Sequence, residues 1–299
     1  MKDVYKVAGI SRQAASKRRI RQLSKFDQMI KLFEKADKSR EEHPGSGCRK
    51  LARQLTMQGW GRDKIEQLLL DNGYRLIFSR QYKRTTYSQN ELYFPNLIEG
   101  LELNNINQVV QTDITYYRVN EKFYYAVFLI DVYSRRIVGF AVSKTLEAEA
   151  NIKALKRMLR IRKHYSLTGL IHHSDRGSQY IDKEYLKILA DNKIVVSMCT
   201  MPWENAFSER INRTIKEEYL DWWKIEDFGA LSRFVSKAVN HYNRKRQHES
   251  LNRLSPIDFE NELLNTHSIE PAKLKLYKRL ASYPQKNVNG TKKKEAKKK

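Results

Sequence analysis

The stretch Val109-Val-Gln-Thr-Asp-Ile-Thr-Tyr-Tyr117 alternates as a β-strand does, with a single acid, Asp113, among β-favouring side chains. An aspartate is disfavoured in mid-strand unless it has a task there, so Asp113 is the first candidate site residue. Two more strand-like runs follow at once, Phe123 to Asp131 and Arg136 to Ser143. Connections this short predict an antiparallel meander.

Beyond the meander the hydrophobic period lengthens. Ala148, Ile152, Leu155 and Leu159 fall on one stripe and predict a helix over residues 146–162. Thr168 to His172 reads as a strand, Lys183 to Ala190 as a helix, Lys193 to Met198 as a strand and Glu204 to Tyr219 as a helix. A long helix over 226–245 turns Phe228, Leu231, Val235, Ala238 and Tyr242 inward. Three meander strands, then helix, strand, helix, strand, helix, is the element order of a ribonuclease-H-like α/β domain with a mixed five-stranded sheet.

Upstream the chain is all-α. Leu51 and Leu55 share a face of one short helix, Gln58-Gly-Trp-Gly61 makes a turn, and a second helix from about Asp63 buries Ile65, Leu68 and Leu69. That is the outline of a helix-turn-helix. Arg62 and Lys64, at the start of the second helix, are expected to reach bases or phosphates, and Arg49, Lys50 and Arg53 the DNA backbone. Residues 4–22 hold a turn at Gly9, a capping Ser11 and a helix with Arg12, Lys17, Arg18 and Arg19. They read equally as another helix-turn-helix or as a solvated basic helix, with residues 23–42 a helical connector. The expected division is a basic helical segment 1–42, a helix-turn-helix domain 43–80, a linker 81–105, a catalytic core 106–262 and a basic tail 263–299. The last stretch, Asn289 to Lys299, has six lysines and no large apolar residue, so disorder is expected there.

Over 299 residues, 57 Lys and Arg stand against 34 Asp and Glu, a net charge of +23. An excess of that size points to a polyanionic partner, most simply nucleic acid. The longest apolar run, Phe123 to Ile130, is too short to span a bilayer, and no membrane partner is expected. Cys48 and Cys199 form no metal-ligand spacing and read as free thiols.

Cutting or joining phosphodiesters without a covalent intermediate commonly uses two divalent ions about 3.5–4 Å apart, held by carboxylates from separate elements. Besides Asp113, the run Ile171-His-His-Ser-Asp-Arg-Gly-Ser-Gln-Tyr180 presents Asp175 where a strand gives way to a turn. Asp131 is set aside. A hairpin centred on Asn120 pairs residue 113 with residue 127, which leaves Asp131 about 13 Å along the strand. Its place at the head of Asp131-Val-Tyr-Ser-Arg135 suits a structural turn. Glu204 and Glu209 lie about 140° apart around a helix, so only one can face the sheet. Glu209 has Arg213 and Lys216 on its own stripe and suits a metal beside a phosphate track, with Asn205 a further candidate DNA contact. Glu217 and Glu218 fit a surface salt-bridge face. His172 and His173 are adjacent on a strand and point to opposite faces, so they cannot share an ion, and one is expected to pack inside.

Gln111-Thr-Asp-Ile-Thr-Tyr116, Leu129-Ile-Asp-Val-Tyr-Ser-Arg-Arg-Ile-Val-Gly139, His172-His-Ser-Asp-Arg-Gly-Ser-Gln-Tyr180, Glu204-Asn-Ala-Phe-Ser-Glu209 and Tyr242-Asn-Arg-Lys-Arg-Gln-His-Glu-Ser-Leu251 occur in this order. Together they resemble the second-reading-frame protein of the insertion sequence 3 family of bacterial transposases, within the DDE integrase-core superfamily. The resemblance covers about residues 45 to 260. It implies a transposase that cleaves element ends and transfers a 3′-hydroxyl strand, with Asp113, Asp175 and Glu209 as its acid triad and two Mg²⁺ ions, replaceable by Mn²⁺. It further implies double-stranded DNA carrying terminal inverted repeats and target DNA as partners, self-association into a dimer or larger synaptic complex, a first-reading-frame partner protein, and a bacterial cytoplasmic location at the nucleoid. Thirty-three residues separate Asp175 from Glu209, two fewer than is usual in the family, with the deficit falling in the loop from Cys199 to Trp203. A non-catalytic DNA-binding regulator and a structure-specific nuclease of the same fold are the competing readings.

Overall fold

The computed structural model describes residue 9 and residues 11–76, 94–265 and 272–278. The expected tail from residue 279, and most of the expected linker, lie outside them. Ser11 accepts a hydrogen bond from the Ala14 amide and opens α1, Arg12–Glu42. The basic segment and the expected connector are therefore one continuous helix, with no turn inside it. Short helices α2, Cys48–Gln54, and α3, Arg62–Asp71, pack on its C-terminal half. Leu32 and Ala36 of α1 close over Leu51, Leu55, Ile65 and Leu69.

The main sheet holds β2 (Val109–Val119), β3 (Lys122–Asp131), β4 (Ile137–Ser143), β5 (Ile171–Ser174) and β6 (Val195–Met198), in the order β4-β3-β2-β5-β6. A two-residue strand β1, Glu102–Leu103, pairs outside this sheet with β7, Leu274–Lys275. The meander β2-β3-β4 is antiparallel, and β5 and β6 run parallel to β2. Helices α4 (Ala148–Ile161) and α5 (Lys183–Asp191) cover one face through Leu155, Met158, Tyr185 and Leu189. Helices α6 (Ala206–Glu218) and α7 (Phe228–Arg244) cover the other through Ile211, Ile215, Leu231 and Val235. Gly139 lets α4 approach β4, because a Cβ there would lie 2.3 Å from the Ala154 carbonyl oxygen. A last helix α8, Pro256–Asn265, packs beside α7. This is the mixed five-stranded ribonuclease-H-like arrangement, preceded by an all-α region.

Two local expectations are corrected. The hairpin turn has two residues, so Val119 pairs with Lys122 and Asp113 pairs with Phe128 rather than residue 127. The helix expected from Glu204 begins with a tight 3₁₀ turn, Pro202–Asn205, and becomes α-helical at Ala206.

Candidate active site

Strand β2 is central, and its parallel pairing with β5 ends at Gln111 opposite His173. Two residues beyond that point lie Asp113 on one chain and Asp175 on the other, so adjoining strands deliver two acids to one place. Helix α6 brings the third. Gln111 fixes its start: the side-chain amide donates to the Glu204 carbonyl, and its oxygen accepts from the Phe207 and Ser208 amides. One turn on from Glu209, Asn212 donates to Asp113 Oδ2 at 2.8 Å. The Ile114 amide donates to Asp113 Oδ1, and the Gly177 amide to Asp175 Oδ1 at 3.1 Å.

The electrostatics record the convergence. Burial, with the neighbouring charges of Asp175 and Glu209, pushes the Asp113 carboxyl up to about 8. Burial raises Asp175 as well, against the pull of the Gly177 amide. Glu209 is exposed yet also raised, chiefly by desolvation, with Arg213 opposing. Among the described residues no three His, Cys, Asp or Glu side chains are already gathered closely enough to ligate an ion. The donor set nevertheless fits a hard divalent cation: carboxylate oxygens from three separate elements, with none of the three acids in an ion pair among the described residues.

The expected DNA contacts divide. Arg213 is exposed, and the Lys216 ammonium lies 4.9 Å from the centre of the Tyr116 ring, its pKa lowered by burial. Both flank the acids. Arg62 and Arg49 remain exposed, beside Asp63 and Glu66, and the Lys64 ammonium covers the Trp60 ring at 4.2 Å. Asn205 is a correction. It is 3 % exposed and donates to the Thr112 carbonyl, so it clamps helix to strand instead of facing DNA. Lys50 and Arg53 are corrections too. Lys50 binds Glu218 at 2.6 Å and Arg53 pairs with Glu249, so both join the helical region to the core.

Other acids prove structural. Asp131 is fully buried, accepts from the Asn107, Tyr133 and Ser134 amides, and pairs with Arg162, which also binds Glu260. Its exclusion holds for a further reason. It pairs with Val110, so a one-residue change of register moves it to the face of the sheet opposite Asp113. The Glu204 carboxylate accepts from the Thr200 and Met201 amides and from Asn96, which ties down the shortened loop. Both histidines are buried, not one. His172 meets the Tyr185 hydroxyl and His173 the Ser197 hydroxyl, and burial lowers them to about 3 and about 4. A strand covered on both faces has no solvent side to offer.

Glu218, expected on a surface salt-bridge face, is instead a hub between the helical region and the core. Arg246 grips it with two hydrogen bonds, and Lys50 and His43 add their own. Gly45 sits so close that a Cβ would lie 2.3 Å from the Glu218 Cα. The signal was the basic run Arg244-Lys-Arg246 together with Lys50, far apart in sequence.

An integrase core domain family matches residues 104–201, and a second integrase core family matches residues 192–256. A 31 kDa protein of insertion element IS600 from Shigella sonnei is 31 % identical over 223 residues, covering 72 % of this chain and 81 % of that protein. Transposase InsF for insertion sequence IS3A of Escherichia coli strain K12 is 30 % identical, covering 73 % of this chain and 77 % of its own. The chain belongs to the insertion sequence 3 family of transposases. Within solved structures, an HTLV-2 integrase catalytic core domain in complex with magnesium superposes with a TM-score of 0.42 at 17 % identity, covering 52 % of this chain and 95 % of that one. Asp113 and Asp175 fall in the first integrase core match and Glu209 in the second, so the transposase family's core spans all three acids.

Proposed function

We propose that Asp113, Asp175 and Glu209 are the catalytic, metal-holding acids of this chain, a DNA transposase of the DDE type. The observation that carries the reading is the convergence of the three acids. Asp113 and Asp175 each stand two residues past the paired Gln111 and His173, and Asn212, one turn on from Glu209, donates to Asp113. An Asp113 carboxyl raised by burial and by the charges of Asp175 and Glu209 is in keeping with it. Such a cluster is costly unless a cation relieves it. A divalent cation held there, Mg²⁺ or Mn²⁺, supplies Lewis-acid polarisation and charge neutralisation at a phosphodiester.

The chain's own residues prepare that chemistry. Asn212 and the Ile114 amide fix the Asp113 carboxylate, and the Gly177 amide fixes Asp175. Gln111 and Asn205 lock the start of α6 to β2, which sets the height of Glu209 above the strand ends. Asp113 has to release its proton to serve as a ligand, so ion binding is coupled to proton release. Arg213 and Lys216 line the approach and hold phosphates. The activity is cleavage at an element end, which exposes a 3′-hydroxyl, followed by attack of that hydroxyl on a second phosphodiester. The α2–α3 hairpin, with Arg49, Arg62 and Lys64 outward, holds terminal inverted repeats. Synapsis of two ends requires more than one copy, and a first-reading-frame partner supplies further DNA binding. No helix of the described residues is long and apolar enough to cross a membrane.

The test is a strand-transfer assay on linear element ends with Mg²⁺ or Mn²⁺. The wild-type chain is expected to cut and join, and Asp175→Asn to do neither while keeping its circular dichroism. Wild-type joining by Asp175→Asn would sink the assignment. Cutting of branched DNA without joining would favour the nuclease.

A further inference from the structure

Between the helical region and the core lies a cavity of about 670 Å³, the volume of a nucleotide-sized site and not of a duplex. Arg49, Lys50 and Arg53 of α2 line one side, and Arg210 and Thr214 of α6 the other. The α6 stripe through Arg210 and Thr214 is not the one that carries Glu209, Arg213 and Lys216; successive residues are about 100° apart around a helix. Cavity and candidate active site thus occupy neighbouring faces of one helix.

The cavity is over-supplied with positive charge. Glu218 answers Lys50 and Arg246, Glu249 answers Arg53 and Arg253, and Glu66 answers Arg49. Two arginines of the lining remain. Arg135 and Arg210 make no ion pair among the described residues. Arg135 is held by the Val132 carbonyl and lies 4.2 Å from the centre of the Phe207 ring. It takes a left-handed backbone, φ +62°, in the turn between β3 and β4, an uncommon conformation for a branched-chain-free but bulky residue. Burial lowers its pKa to about 10, against the opposing charges of Tyr242 and Asp131. Arginines interleaved with aromatic faces form the usual surface for unpaired nucleotides, in which rings stack on bases and guanidinium groups take phosphates. Here the half-buried Phe207 ring stands beside Arg135, while Tyr242, 2 % exposed, only backs the cavity.

We propose that this cavity receives one or two unpaired nucleotides of a DNA strand, with their phosphates on Arg135 and Arg210. A strand leaving the candidate active site across α6 meets Arg210 on the next face of the helix. The choice of DNA as the ligand rests on the transposase reading; the preference for an anion rests on the cavity's own charge. A free nucleoside triphosphate carries the same chemistry, and the experiment separates the two.

Fluorescence anisotropy on the full chain, in EDTA, compares a labelled duplex bearing a six-nucleotide oligothymidine tail with the same duplex blunt. The tail is expected to tighten binding about tenfold, and Arg210→Gln, an exposed position that leaves the fold intact, to erase that gain while blunt binding stays unchanged. The Arg135→Gln/Arg210→Gln pair is expected to lower the salt slope of tail binding by about 1.4, two single-strand phosphate contacts. Arg135→Lys is expected to retain most of it. Equal affinity for tailed and blunt DNA, or a tail preference that survives Arg210→Gln, overturns the proposal. Displacement of the tail by ATP at equal phosphate concentration also overturns it, in favour of a free-nucleotide site. The assay contains no metal and no chemistry, so Asp175→Asn protein is expected to bind the tail as wild type does. Loss of joining with tail binding intact, or the reverse, tells the failure of one reading from the failure of the other.

Discussion

At one end of α6, Glu209 joins Asp113 and Asp175 in a group whose members all hold their protons more tightly than usual. At the other end, Glu218 is ringed by Arg246, Lys50 and His43, and these partners hold its carboxyl far below the usual range. The two groups are built on the same helix from the same side-chain type. They differ in compensation. Glu218 has its cations inside the fold and ties the helical region to the core. The three acids have Asn212 and backbone amides, which orient but do not neutralise. Repulsion left standing in a folded protein signals a place for a ligand of opposite charge.

Exchanging charge for amide at each end of α6 separates the two roles. Glu209→Gln is expected to reduce strand transfer at least about 10³-fold with little change in melting, read by the joining assay beside a thermal scan. Glu218→Gln is expected to do the opposite. It strands the buried Arg246 and costs about 3–5 kcal/mol of stability, measured as a denaturant midpoint. A Glu218→Gln protein as stable as wild type would show that Glu218 does not hold the helical region to the core.

A smaller effect follows from pH. His172, His173, His241 and His248 are lowered by burial to about 3, 4, 4 and 3. The folded state therefore binds fewer protons than the unfolded one. Stability from these groups is complete above their unfolded pKa, near 6.5, and is lost as the pH falls, by up to about 1.4 kcal/mol per pH unit for each. Asp113 works in the other sense. Its folded pKa is raised, so its contribution is lost as the pH rises towards about 8. Unfolding midpoints in EDTA at pH 5, 6.5 and 8.5 are expected to peak in the middle, and equal midpoints at pH 5 and 6.5 would contradict the histidine account. The smallest effect is a gain. In EDTA at pH 8, Asp175→Asn relieves Asp113 and is expected to raise stability by about 1 kcal/mol, seen as a small upward shift in Tm.

Much of the fold was legible because its strands and helices carry clear periods. Asp113 stands out as an acid in the middle of a strand. Helix geometry together with Arg213 and Lys216 on its stripe favours Glu209 over Glu204, which the structure places in a 3₁₀ turn ahead of the helix. Asn205 and Glu218 were misread for one shared reason. A polar side chain looks solvated in sequence until a distant partner is known, and theirs are Thr112, and Arg246 with Lys50. Asp131 was set aside correctly by distance, while the stronger reason was hidden by a register one residue out. With a side-chain period of two, that single step decides which face of the sheet an acid joins.

By itself, then, the sequence carried the element order and the basic character, since periodicity and composition are local properties, and its motifs named the three acids as candidates. Only the tertiary structure decided which carboxylates are neutralised and which are left in repulsion. It also decided which cations are paired inside the fold and which stay exposed. Charge compensation depends on distances between residues far apart in the chain, and no local pattern encodes those distances.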